Sequence, residues 1–257
     1  MQWYLACDRN HQVLAARLEA ALEDDDSSLF EPRVFRVEDL RGLPGRAAGG
    51  LAVQDFKLAC IDRALGENPE GSYIVWSDAD VQPLAPLSEL RAAIERESAT
   101  QMDVYAQREF EDVGVNVGFL VLRVTETTRT LFAKVRRTMT ETRALDQKVL
   151  NRMLVAGEAT VARLPSSFWA SSNATARPTL DSLVLHHANF VPGDARSDAR
   201  DPTPKLDQLD AVAAMRRANN APVWDAFLDR LATDPTLHQY RDRHFPLVDR
   251  PRWGDLP

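Results

Sequence analysis

Tyr73-Ile74-Val75-Trp76-Ser77-Asp78-Ala79-Asp80 is an apolar run that ends in two carboxylates one residue apart. The run reads as a buried strand. Such a strand carries both acids to its tip, where they can share a divalent cation. A cation at a strand tip in an α/β protein serves most often to neutralise phosphate. The stretch therefore points to a nucleotide-linked substrate. Asp24 and Asp26 repeat the spacing, but Glu23-Asp24-Asp25-Asp26 reads as a solvated helix end. What sets Asp78 and Asp80 apart is the strand before them and the residues downstream.

Upstream, strand and helix alternate. Gln2 to Ala6 is short and apolar, and from His11 to Leu22 the residues Val13, Leu14, Leu18, Ala21 and Leu22 recur at helical spacing. Val34, Phe35 and Val37 mark a second strand, followed by a breaker-rich loop with Gly42, Pro44, Gly45, Gly49 and Gly50. Val53, Phe56, Cys60 and Ala64 give a helix face that ends near Gly66. Downstream, Pro83 and Pro86 postpone the next helix to about Ser88–Glu97. Strands are expected at Val104–Ala106, Val115–Leu122, Val161–Leu164 and Leu183–Leu185, and helices at Thr128–Thr138, Asp146–Val155, Leu206–Arg217 and Val223–Leu231. Arg241 to Pro257, rich in Pro, Arg and Asp, reads as an extended tail. The pattern predicts an α/β fold with a mostly parallel sheet, a mixed edge and flanking helices. It forms one domain over residues 1–205, with a C-terminal helical extension over 206–257. Ligands of such sheets bind beyond the carboxyl ends of strands, where Asp78 and Asp80 lie.

Bulk properties narrow the classes. The chain has 257 residues, 44% of them hydrophobic, enough for a sizeable core. A formal charge of -7 argues against holding nucleic acid by its backbone. Cys7 and Cys60 sit in apolar segments without metal-site spacing and read as buried free thiols. The start, Met1-Gln2-Trp3-Tyr4, carries no signal-peptide pattern, and no apolar run reaches the ~20 residues that span a bilayer. A cytoplasmic location is expected.

The order of motifs resembles retaining glycosyltransferases of the GT-A fold, especially bacterial galactosyltransferase-like and related nucleotide-diphospho-sugar transferases. Four signatures carry the likeness over roughly residues 2 to 206: Asp78-Ala79-Asp80, Asn116-Val117-Gly118, Asp146-Gln147 with Leu150-Asn151, and His187-Ala188-Asn189 with Gly193 and Lys205. A fifth, Asp8-Arg9-Asn10 after the first strand, matches the turn that contacts base and ribose, with His11 where an aromatic residue often follows. The segment between Gly193 and Lys205 is longer than the family pattern and holds Asp194, Asp198 and Asp201, so Arg196 or Arg200 could stand in for Lys205 at the phosphates.

The resemblance implies roles. Asp80 and His187, with Asp78, would hold Mn²⁺ or Mg²⁺ against a nucleotide diphosphate, and a mixed Asp/His set suits Mn²⁺ somewhat better. Asp78 would reach the ribose or the ion through water. His186 and His187 face opposite sides of a strand, and the family pattern selects His187. Asp146 would bind sugar hydroxyls, or simply cap its helix. Gln147 would lie near the anomeric carbon and stabilise positive charge there. Asn116 would hydrogen-bond the donor sugar, and Gly118 would let the backbone approach closely. Asp8, Asn10, Lys57, Asn189, Gly193 and Lys205 complete the expected donor-binding set. Lys57 would pair with the diphosphate or with Asp78, unless it is an exposed helix lysine.

On this reading the partners are a nucleotide sugar, with UDP as the expected carrier, and a hydroxyl acceptor. Two rivals remain. A phosphatase of the haloacid dehalogenase class also uses Asp-x-Asp after a strand, but Gln82 replaces its usual Thr and two candidate strands come first. A non-catalytic sugar-nucleotide binder is the other, although every candidate ligand position is filled. Leu164–Arg177, with Phe168, Trp169 and Asn173, matches no motif.

Overall fold

The computed structural model describes residues 1–23, 29–36, 50–110, 114–193 and 201–244. Asp24 to Asp26, Val37, the glycine-rich loop up to Gly49, Arg196, Arg200 and the last thirteen residues lie outside the described set.

The main sheet has six strands, in the order β2(Glu31–Arg36), β1(Gln2–Cys7), β3(Tyr73–Ser77), β6(Val115–Arg123), β5(Val104–Arg108), β7(Val161–Arg163). β2, β1 and β3 are mutually parallel, β6 runs antiparallel to β3 and to β5, and β5 and β7 are parallel. Only β6 reverses direction, so the sheet is mostly parallel, as the strand and helix alternation predicts. β3 and β6 are buried on both faces, which explains their unbroken apolar runs.

Helices cover both faces. α2(Gly50–Glu67), α4(Glu126–Thr142) and α5(Asp146–Val155) pack on one side against Tyr4, Ile74, Trp76 and Leu120. α1(Gln12–Glu23) and α3(Leu87–Ser98) pack on the other against Trp3, Leu5, Val75 and Phe119. Each large apolar side chain fully buried in these layers stabilises the fold by about 1.5–3 kcal/mol. Trp3 also donates its indole N–H to Ser77 Oγ at 2.7 Å, tying β1 to the end of β3. Cys7 and Cys60 are buried and not disulfide-bonded, as expected, and burial pushes the Cys60 thiol up to about 12.

Three elements depart from the sequence reading. A second sheet joins β4(Val81–Pro83), β9(Leu185–His187) and β8(Phe168–Ala170), of which β4 was not legible in a stretch broken by Pro83 and Pro86. Its pairings move the strand expected at Leu183–Leu185 two residues onward, because Leu180–Ser182 forms a 3-10 turn. The tail expected from Arg241 begins instead inside α8(Pro235–His244). The boundary expected at 205/206 falls inside α6(Thr203–Ala218). α7(Ala221–Thr233) and α8 share a core with Phe110, Trp169, Leu183 and Phe190, so the C-terminal helices pack onto the sheet-bearing part of the chain. Among the described residues no helix is long and apolar enough to cross a membrane.

Candidate functional site

The second sheet brings distant residues to the strand tip. β4 leaves Asp80 directly and pairs antiparallel with β9, which sets Val81 opposite His187. Ala188 N–H donates to the Asp80 carbonyl at 2.9 Å and locks that register. His187 Nε2 lies 3.3 Å from Asp80 Oδ1. Asp78, Asp80 and His187 each offer a ligand atom, all within 4.8 Å of one another. His186, one residue earlier, points away: it stacks on Trp169 with ring centroids 4.9 Å apart, and burial lowers its pKa to about 3. The neutral, packed His186 and the site-facing His187 match the alternation along a strand.

His187 has the form a metal needs. Its Nδ1 meets Gln107 Oε1 at 2.9 Å, a hydrogen bond in the tautomer that carries the proton on Nδ1. In that tautomer Nε2 presents a lone pair, and the atom is buried without a hydrogen-bond partner. A ring held this way by an outer amide is the usual arrangement of a ligating imidazole. Gly118 makes room for it. A Cβ there would sit 2.0 Å from His187 Cε1 and 2.7 Å from Nε2. The missing Cβ of Gly118 thus gives clearance to the His187 ring.

Two lysines balance the acids. Lys57 reaches Asp78 Oδ1 at 2.7 Å and Asp146 Oδ2 at 3.8 Å, so it is not an exposed helix lysine. Burial alone would lower its pKa, but Asp78 and Asp146 outweigh that and hold the ammonium above its usual range. Lys205, at the start of α6, hydrogen-bonds Asp80 Oδ2. Burial would raise the Asp80 carboxyl, yet the Lys205 ammonium beside it holds it well below the usual carboxylate range.

These groups line one cleft of about 240 Å³, bounded also by Asp8, Asn116, Asp146, Gln147, Asn189 and Tyr240. Asp8 caps the turn after β1, accepting from Asn10 N–H and His11 N–H at 3.0 Å, and its Oδ1 lies 2.7 Å from His11 Nδ1. Leu145 is the N-cap of α5, so Asp146 is the first helical residue rather than the cap. It accepts from Gln147 N–H at 2.8 Å, and burial raises its carboxyl. Asn189 donates to Ser172 Oγ at 2.7 Å and to Tyr240 Oη at 3.0 Å. Asn10 is exposed and Gly193 N–H donates to Asp234, and neither lines the cleft.

The sequence reading missed Gln107, Glu109, Ser172 and Tyr240. Glu109 is fully buried behind the cleft wall and accepts from Gln147 Nε2 at 3.1 Å, from Asn116 Nδ2 and from the Ser172 hydroxyl. A β-bulge between Ala106 and Gln107 sets Gln107 opposite Asn116. The available signal was the i, i+2 pair of polar residues, Gln107 and Glu109, leaving an apolar strand on one side.

No family model matches the sequence, and no curated protein matches it. Solved structures do share the fold. The galactosyltransferase LgtC, in complex with donor and acceptor sugar analogs, superposes with a TM-score of 0.50 at 14% identity, over 83% of this chain and 95% of that one. A glycosyltransferase involved in the glycosylation of the major capsid of PBCV-1 gives 0.55 at 12% identity, over 80% and 98%. The glycosyltransferase GlyE of Streptococcus pneumoniae TIGR4 gives 0.56 at 12% identity, over 91% of this chain and 64% of that one. The chain therefore has the GT-A fold of the glycosyltransferases.

Proposed function

We propose that the chain is a metal-dependent glycosyltransferase that moves a hexose from a nucleotide diphosphate, UDP on our reading, to a hydroxyl acceptor with retention of configuration. One observation carries the reading: two strand-tip aspartates and a buried imidazole whose Nε2 has no hydrogen-bond partner converge in the cleft of a fold shared with glycosyltransferases.

Asp78, Asp80 and His187 would hold the cation, Mn²⁺ in preference to Mg²⁺ because imidazole is the softer ligand. Bound there, it would offset the charge of the departing diphosphate. The protein supplies the rest. Lys57 and Lys205 are the cations beside the acids, placed to meet phosphate oxygens once a donor competes for them. Asp8 lines the same cleft and would meet the base and ribose. Asp146 binds sugar hydroxyls, and Gln147 faces the anomeric carbon. In the transfer the bond from that carbon to the diphosphate oxygen breaks, and a bond to the acceptor oxygen forms on the same face. The acceptor proton passes to the leaving diphosphate. Positive charge develops at the anomeric carbon between these events, and the Gln147 carbonyl is the group placed to stabilise it.

A thermal-shift panel of nucleotide sugars with and without Mn²⁺ tests the reading. UDP-sugars should raise the melting temperature far more with Mn²⁺ than with a chelator. Equal shifts in both conditions, or none for any nucleotide, would overturn it.

A further inference from the structure

We infer that Glu109 is a positioning residue for the transfer: from behind the cleft wall it fixes the Gln147 amide and lends it negative charge. The inference rests on the proposed role of Gln147 at the anomeric carbon.

Glu109 is fully buried and does not line the cleft. Four donors converge on its carboxylate. Phe110 N–H, at 3.0 Å, and the Ser172 hydroxyl reach Oε1, while Asn116 Nδ2 and Gln147 Nε2, the latter at 3.1 Å, reach Oε2. Burial raises the Glu109 carboxyl, against the hydrogen bonds from Ser172, Asn116 and Phe110 that favour its ionised form. Three of the four donors cannot accept a hydrogen bond, so the geometry itself calls for an acceptor-only carboxylate. Among the described residues no lysine or arginine pairs with it. A buried carboxylate without a cation is costly, and an apolar replacement of both partners would cost less.

The consequence falls on two amides. With its nitrogen held by Glu109, Gln147 must turn its carbonyl the other way, where Oε1 accepts from Val117 N–H at 3.2 Å. Asn116 is turned likewise, and its Oδ1 accepts from Gly118 N–H at 2.6 Å. Each carbonyl oxygen keeps a second lone pair, and both residues line the cleft. A negative charge on the N–H side polarises the Gln147 amide and adds density to its oxygen, in a dry site where such charge is strong. The oxygen therefore offers more to a cationic anomeric carbon than an isolated amide would. Asn189, held by Ser172, joins the same network from β9's side.

The test uses UDP release from UDP-galactose and UDP-glucose, which needs no acceptor, together with UDP affinity by calorimetry in Mn²⁺. Glu109→Gln should lower kcat by about tenfold to a hundredfold, less than the roughly hundredfold to thousandfold lost with a group that touches the developing charge directly, because Glu109 acts through Gln147. Its UDP affinity should stay within about threefold of wild type, because Glu109 touches no nucleotide-facing residue beyond Asn116 and Gln147. A wild-type kcat in Glu109→Gln, or equal losses of kcat and UDP affinity, overturns the inference. If Glu109→Gln does not fold, the exchanged pair Glu109→Gln/Gln147→Glu decides, since it keeps one carboxylate and one amide in contact. A folded exchange variant with kcat within about tenfold of wild type supports the inference. An inactive or unfolded one overturns it. Gln147→Ala separates the two levels of the argument. A wild-type kcat there, or no UDP release by wild type, removes the underlying reading and the inference with it. A slow Gln147→Ala beside an unaffected Glu109→Gln removes the inference alone.

Discussion

Replacing Gly118 by alanine adds one methyl group at the point where the site has no space. The new Cβ would lie 2.0 Å from His187 Cε1, 2.7 Å from Nε2 and 2.8 Å from Asn116 Oδ1. Carbon atoms in contact sit about 3.5–4.0 Å apart, so something must move by well over an ångström. The backbone cannot, because Gly118 lies in β6, between β3 and β5 in the sheet, and its carbonyl accepts from Asp78 N–H at 2.7 Å. The His187 ring must therefore leave, giving up its hydrogen bond to Gln107. Overpacking of this kind costs about 1–3 kcal/mol, which at this chain length lowers the melting temperature by about 2–4 °C per kcal/mol. Metal affinity should fall by at least the ~10–100-fold seen when the outer support of a ligand is lost, since here the ligand itself is displaced. Gly66→Ala is the control: near the end of α2, its Cβ would meet nothing within 4 Å, so that variant should match or exceed wild-type stability. Melting curves with a Mn²⁺ titration check both. Wild-type stability and wild-type Mn²⁺ response in Gly118→Ala would refute the account of how His187 is placed.

Two further outcomes follow from the charges. Lys205→Ala leaves the buried Asp80 without its ammonium partner and should cost about 3–5 kcal/mol without metal. Because that ammonium also competes with a cation for Asp80, Mn²⁺ should raise the melting temperature of this variant more than that of wild type; a smaller rise contradicts the competition. Asp62 has a carboxyl pushed up to about 6, chiefly by burial and against the nearby Arg136. The folded form then binds more protons than the unfolded chain between about pH 4 and pH 6, so stability falls as pH rises through that window. With its side chain 30% exposed, the expected fall is about 1–2 kcal/mol after allowance for solvent screening. Asp62→Asn should remove that part of the slope in urea titrations at pH 4.5 and pH 7, and an unchanged slope argues against it.

How much of this was legible in the sequence depends on where the forces act. β1, β3 and β6 announce themselves because strands buried on both faces need unbroken apolar runs. Asp78, Asp80 and His187 could be named because a strand tip and a motif order mark them. The second sheet, apart from a strand placed two residues short of β9, could not. β4, β8 and β9 are three residues each, too short for any period to show, and pairing holds them rather than propensity. α8 hides behind a charged composition with mean polarity too high to signal an apolar face, yet it buries Leu237 and Tyr240. Glu109 reads as one more surface acid in Arg108-Glu109-Phe110, and only the fold shows four donors closing on it. Gly118 was identified for the right property, the missing Cβ, but its neighbour is an imidazole from β9 that local sequence does not reveal.

The central claim is that Asp78 and Asp80 at the β3 tip and His187 on β9 would together hold one dication, which would neutralise a bound pyrophosphate. Calorimetry of UDP with and without Mn²⁺, run on wild type, His187→Ala and His186→Ala, measures that directly. The account predicts Mn²⁺-dependent UDP binding in wild type and in whatever fraction of His186→Ala remains folded, and its loss in His187→Ala. Metal-independent UDP binding, or equal weakening by the two histidine variants, would contradict it.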